Sequence, residues 1–264
     1  MLKLAKEFDR RDGTSLSAIL RSVLLVCTTS AILFLASGSD AMGATITSNQ
    51  TGNWSATTTW VGSVVPVAAD SVVIAAGHTV TLTANTTITG VTVNATGVLA
   101  TATFTLGVSG NLVVNGTITG TGAITLSGAG TNLDGAGSIT NTGILTINAA
   151  HTILSTANLS FAGRIAISGA ITVTNNGTVT TNAATGITGS VAGSSWTQGT
   201  TGTLNIIGPM LATGTLTASA NGNTINYSGA AQTVKATATY HHLLLGGSGA
   251  KTLTATTTAI NSAL

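Results

Sequence analysis

Two carboxylates, four histidines and one lysine-bearing glycine loop are the residues whose types could do chemistry in the body of this 264-residue chain. Beyond Ala41 the only acids are Asp70 and Asp134. A paired set would serve acid–base catalysis or hold Ca²⁺. These two fall about three repeats apart and cannot flank one bond. His78 and His151 stand alone, as turn or surface residues. His241 and His242 are neighbours on an expected strand, where successive side chains point to opposite faces and cannot grip one ion. The stretch Gly246–Thr252 (GGSGAKT) suggests a phosphate loop, yet the first glycine of that motif is missing and no apolar helix follows. No serine has a histidine and an acid at recognisable spacing. The expectation is a non-enzyme with no catalytic, cofactor-binding or metal-ligating residue, and with its ligand-binding residues unassigned.

Threonine pairs offer a different chemistry. Thr81-Thr83, Thr87-Thr89, Thr101-Thr103, Thr117-Thr119, Thr172-Thr174 and Thr178-Thr180 each place two hydroxyls on one face of a strand. Stacked in one column, such pairs would make an ice-binding surface. Their spacings are not multiples of the repeat described below. They read as β-propensity on solvated strand faces, and ice binding ranks a distant third among the functions considered.

The elements that must position these residues follow from composition and repetition. Charged residues make up 5% of the chain and aromatic residues 3%, while apolar residues make up 43%. Helix formers at helical spacing are missing, and Thr, Gly, Ala, Ser and Asn fill the remainder. From Val91 to Thr174 the sequence aligns on itself with a period of about 21 residues. One column holds Val91, Leu112, Leu133 and Leu154. Another holds Gly107, Gly128, Ala149 and Ala170, and Asn94 aligns with Asn115. Within each unit, short apolar alternations such as Leu112-Val114, Ile124-Leu126 and Leu145-Ile147 are separated by turn residues. A single unit cannot bury its apolar side chains, but stacked units can. This predicts an all-β chain, a right-handed parallel β-helix (β-solenoid) with coils of about 21 residues. In it Leu112, Leu133 and Leu154 stack inward, and Asn94 and Asn115 form an amide ladder.

The flanks differ from the repeats. Gly52-Asn53-Trp54, Trp60, Gly62, Pro66, Asp70, Val72, Ile74, Gly77 and Val80 form a distinct pattern within positions 52–82. It resembles the eight-glycine domain and similar openings of bacterial secreted or cell-surface, adhesin-like β-helix proteins. The resemblance implies the start of a solenoid. Trp54 and Trp60 would cover the open end of its first coil, and Asp70 would close a turn. Residues 221–253 depart from the repeat and resemble a segment common in bacterial secreted repeat proteins. Thr254–Leu264 is still strand-like, so the chain is expected to continue in a longer protein, or to self-associate end to end through an uncovered strand.

Ser22–Ala36 is an unbroken, largely apolar run after a basic stretch, with small residues at Ser39 and Ala41. That order is a secretory signal, expected as a helix and cut near Ala41 or Ala44. The run is short for a membrane span, so no membrane association is expected after cleavage. Its Cys27 is the chain's only cysteine, which excludes disulfides. Five positive charges precede the run and only Arg164, Lys235 and Lys251 follow it, too few to bind nucleic acid. The expected organisation is therefore 1–41 signal peptide, 42–79 N-terminal cap, 80–218 β-helix repeats and 219–264 divergent C-terminal region. The expected function is a non-enzymatic, extracellular or outer-membrane-associated structural or adhesin-type solenoid that meets surface glycans or a neighbouring cell. The alternative is a carbohydrate-binding or carbohydrate-active β-helix whose active region lies outside this chain.

Overall fold

The computed structural model describes residues 43–236, 239–253 and 259–261. The chain divides into the units Met1–Met42 and Gly43–Leu264, and every described residue belongs to the second. The expected signal helix lies outside the described residues.

The second unit is a parallel β-solenoid. Short alternating segments rich in Val, Ile, Leu and Thr form strands of two to four residues, and Gly, Asn and Ser turn the chain between them. A typical coil contributes one strand to each of three sheets, so most neighbours in a sheet lie three strands apart in the chain. Among the described residues the first sheet has nine strands, from Thr45–Thr47 to Thr215–Thr217. The second has ten, from Gly52–Asn53 to His242–Leu244, and the third has six, from Thr86–Ile88 to Ile187–Gly189. Two further parallel pairs join Gln232–Val234 to Lys251–Leu253 and Thr239–Tyr240 to Ala259–Ile260. Coil length varies: the stretch from Thr45 to its partner Ser71 is several residues longer than that from Ser71 to its next partner, Gly90.

The strand alternation sends every second side chain inward, where like stacks on like. Val72, Val91, Leu112, Leu133 and Ile153 form one continuous inward column of the first sheet. Val80, Leu99, Ile118, Ile139 and Phe161 form the matching column of the second. All of these side chains are buried. Each contributes roughly 1.5–3 kcal/mol on leaving water, which a single coil could not realise.

Three sequence expectations need correction. Leu112 and Leu133 stack inward, but Ile153 takes the third place; Leu154 is half-buried just beyond the strand. That coil falls one residue short of the repeat, and a one-residue slip in a strand of period two turns a side chain off its face. The column Gly107, Gly128, Ala149, Ala170 fails because the coil is shorter still there, with Gly107 standing opposite Thr125 instead of Gly128. The predicted Asn94–Asn115 ladder is replaced by a link to the backbone, with the Ala136 N–H donating to Asn115 Oδ1 at 3.3 Å.

One turn column is tight enough to require glycine. A Cβ on Gly137 would lie 2.1 Å from the Gly116 carbonyl oxygen, and one on Gly116 would lie 2.2 Å from that of Gly97. At the first coil, Trp54 and Trp60 are both buried and meet edge to face at a centroid distance of 5.0 Å. The Trp60 Nε1–H donates to the Trp54 carbonyl at 2.7 Å, so the polar edge of the inner ring is satisfied.

The interior changes character after Ile153. The inward column that carries it continues as Asn175 and Gln198, both fully buried. Gln198 Oε1 accepts from Asn175 Nδ2 at 3.0 Å and from Trp196 Nε1–H at 2.6 Å. Its Nε2 donates to the Thr224 carbonyl. Further along, Tyr227 and Tyr240 close a second polar cluster. The Lys235 N–H donates to Tyr227 Oη at 3.0 Å, the two phenols bond at 3.1 Å, and the Tyr240 hydroxyl donates to the Lys235 carbonyl at 2.6 Å.

Burial pushes both phenols above their ordinary pKa, and the neighbouring Tyr227 raises Tyr240 further. A raised acid is protonated in the folded state, so its contribution to stability is complete below the unfolded value of about 10 and falls away as pH rises above it. Burial of the Lys235 ammonium lowers its pKa and works in the opposite sense. The protein is thus expected to lose stability steeply above about pH 10. The variant Tyr227→Phe/Tyr240→Phe should flatten that slope in chemical-denaturation titrations. An unchanged alkaline slope would place the cluster's ionisation outside folding.

Candidate functional site

The structure separates the residues that looked capable of chemistry. Asp70 is buried, and both its oxygens are engaged: Ala44 N–H donates to Oδ1 and Val67 N–H to Oδ2, each at 2.8 Å. It closes the turn before the strand Ser71–Ile74, as the Pro66–Asp70 spacing suggests. Asp134 stands three coils away in the first sheet and accepts from the Thr156 hydroxyl at 2.8 Å.

The histidines are structural in two different ways. His78 Nδ1 meets the Ser48 hydroxyl at 2.9 Å, tying the first coil to the second. His151 is not a surface residue: it points inward, with Nδ1 donating to the Ala149 carbonyl at 2.9 Å and Nε2 against the Thr131 hydroxyl at 2.8 Å. Both ring nitrogens are thereby engaged within the protein, and the same Thr131 hydroxyl also reaches the Gly128 carbonyl at 2.8 Å. His241 and His242 do not face apart, as strand geometry predicts, but pack with ring centroids 4.2 Å apart. His241 lies at the corner between the strands Thr239–Tyr240 and His242–Leu244, where the alternation lapses. Among the described residues no group of three or more His, Cys, Asp or Glu could hold a metal ion. In the Gly246–Thr252 loop, Lys251 Nζ donates to the carbonyls of Gly229 and Ala230, each at 2.7 Å, and Lys251 itself opens a strand.

What the structure does assemble is a polar outer face on the second sheet. Thr79, Val98, Thr117, Ser138 and Ser160 occupy one outward column. The column continues through Thr180, Asn205 and Asn226 to Leu244. Asn226 Nδ2 donates to Asn205 Oδ1 at 3.0 Å and Asn205 Nδ2 to Thr180 Oγ1 at 3.3 Å, so a side-chain ladder exists, several coils beyond the predicted one. The Thr117-Thr119 and Thr178-Thr180 pairs both lie on this face, while Thr172-Thr174 lies on the first sheet and Thr101 is buried. Sequence reasoning missed the column because it imposed one period. Thr79 to Thr117 and Thr117 to Thr180 become steps of a stack only when each coil keeps its own length.

The five charged residues beyond Ala41 all fall off this sheet. Asp70 and Asp134 belong to the first sheet and its entry, Arg164 precedes a third-sheet strand, and Lys235 and Lys251 lie at the late strand pair. Later strands of the face are longer at their start. The strands Thr117–Thr119 and Ser138–Ile139 begin at the outward column, whereas Asn158–Phe161 and Thr178–Thr181 begin two residues earlier. Asn158 and Thr178 thereby extend the strand face beyond the tight turns at Gly116 and Gly137. An open, shallow depression of about 430 Å³ on this face is lined by Asn115, Thr117, Ser138, Asn158, Ser160 and Thr180, together with the two turn glycines.

No protein-family model, curated protein or solved structure matches the chain. Fold and face together define a parallel β-solenoid with an uncharged, hydroxyl- and amide-bearing side.

Proposed function

We propose that this chain is a non-enzymatic, exported β-solenoid of the structural or adhesin type, whose stack of coils spaces and presents a binding face outside the cell. The observation that carries this reading is the use of the acids: one of the two carboxylates beyond Ala41 is consumed in closing a turn and the other stands three coils away. A polysaccharide-cleaving solenoid needs an acid–base pair or a Ca²⁺ cage close to one bond. The basic stretch, apolar run and small residues of 1–41 support export, and the near absence of charge supports stacking of like on like without repulsion. The eight-glycine-like opening supports a cell-surface assignment.

A carbohydrate-binding role is favoured as the second reading by the uncharged, hydroxyl- and amide-bearing column on the second sheet. The experiment for the first is expression of the full chain in a bacterial host with surface proteolysis and mass analysis of the mature N-terminus. Export with cleavage near residue 41 or 44, and no reducing ends released from a panel of polysaccharides, is the expected result. Cytoplasmic retention, or release of reducing ends, would overturn it.

A further inference from the structure

We infer that the polar outer face of the second sheet around Thr117, Ser138 and Ser160 is a binding site for a neutral oligosaccharide chain, and that this is what the solenoid presents. The inference rests on the reading above for its setting but stands on separate observations. The hydroxyls of Thr117, Ser138 and Ser160 make no hydrogen bond with the described residues, although all three are half-buried in the outward column. A strand face fixes such groups at regular intervals, roughly 4.8 Å from coil to coil. Each hydroxyl can both donate and accept, and each asparagine at the rim offers both an oxygen and two N–H groups. That mixed set matches the hydroxyls of a sugar chain, which also donate and accept at short intervals.

The charge pattern selects among ligands. No Lys, Arg, Asp or Glu lies on the strands of the second sheet, so an acidic glycan, a phosphate or a nucleic acid finds no countercharge there. A neutral polyol needs none.

The shape selects further. An ice-binding plane requires straight, unbroken rows of hydroxyls. Here the strand starts shift by two residues between the coils of Ser138 and Ser160, and Val98 interrupts the column. With no aromatic ring among the lining residues to stack on a sugar face, each site binds weakly. Several copies on one surface would be needed for firm attachment.

The test is retention of the purified full-length protein on beads of amylose, mannan and a β-1,3-glucan, with polygalacturonate beads as the acidic comparison. Thr117→Val/Ser160→Ala removes two unpartnered hydroxyls, and Thr125→Val/Thr146→Val does the same on the outer face of the third sheet. Retention on at least one neutral polysaccharide is expected. It should be about tenfold weaker for the first variant, equal to wild type for the second, with melting temperatures unchanged in both. The inference is overturned if no neutral polysaccharide retains the protein, if polygalacturonate retains it equally, or if the two variants behave alike. It is overturned too if the protein retards ice growth through Thr117 and Ser160 while binding no bead, since the face would then order water. Because binding is measured on purified protein, its outcome is independent of whether export fails.

Discussion

Leu133→Asp is expected to lower the melting temperature by roughly 10–20 °C, reflecting a loss of about 5 kcal/mol in a unit of this size. Leu133 is 1% exposed and lies in register between Leu112 and Ile153. An aspartate there would hold an unpaired carboxylate among apolar side chains from three coils, with no donor at hand. Because each coil contacts chiefly its neighbours, the damage should also split the single transition into two, with the coils on either side melting separately. Thr117→Asp, on the outer face one coil earlier, should move the melt by no more than about 2 °C. Equal effects from the two substitutions would contradict the inward and outward assignments.

The second large effect is expected at Gln198→Leu, with a loss of roughly 2–4 kcal/mol. The substitution keeps an apolar side chain of similar reach but orphans the Trp196 Nε1–H and removes one acceptor from Asn175 Nδ2, both fully enclosed. The Thr224 carbonyl loses its donor as well. Replacing both partners by apolar groups is far milder than leaving one unpaired. Trp196→Phe/Gln198→Leu should therefore recover much of the lost stability, giving a coupling of about 1–2 kcal/mol in a double-mutant cycle. A double variant as unstable as the sum of the singles would mean that the indole–amide bond is not what holds this layer.

These two sites also mark where the fold is legible in the sequence and where it is not. Leu112 and Leu133 announce their stacking because the coil between them is one full period, and the periodicity alone leads to a parallel solenoid. Leu154 misleads because a single missing residue reverses the face of a strand. Asn175 and Gln198 give no signal of burial: amides in an Asn-rich chain read as turn residues, and only the three-dimensional stack brings a tryptophan N–H and a backbone carbonyl to them. The recurring Asn-x-Gly spacing was a usable clue. Asn141 and Asn175 each accept from the N–H of the glycine two residues on while their Nδ2 groups reach into the interior.

The polar face was hidden for a related reason. The threonine pairs are visible in the sequence, but their common column depends on coil lengths that vary with each turn. The turns are set by close approaches such as Gly137 to Gly116, which leave no trace in a fixed-period alignment. His241 and His242 show the limit of strand logic in another way, since one residue at a corner is enough to bring two rings together.

Everything proposed for the second-sheet face depends on those unequal coils holding Thr79, Thr117, Ser138, Ser160 and Thr180 in one column. The most direct test is a distance measurement between spin labels placed at Thr79→Cys and Thr180→Cys, after Cys27 has been replaced by serine. Five strand steps separate the two sites, by way of Val98, Thr117, Ser138 and Ser160. At roughly 4.8 Å per step one narrow distribution centred about 24 Å is expected. A broad or double distribution, or a mean displaced by more than about two strand spacings, would show that the column, and with it the proposed binding face, does not exist.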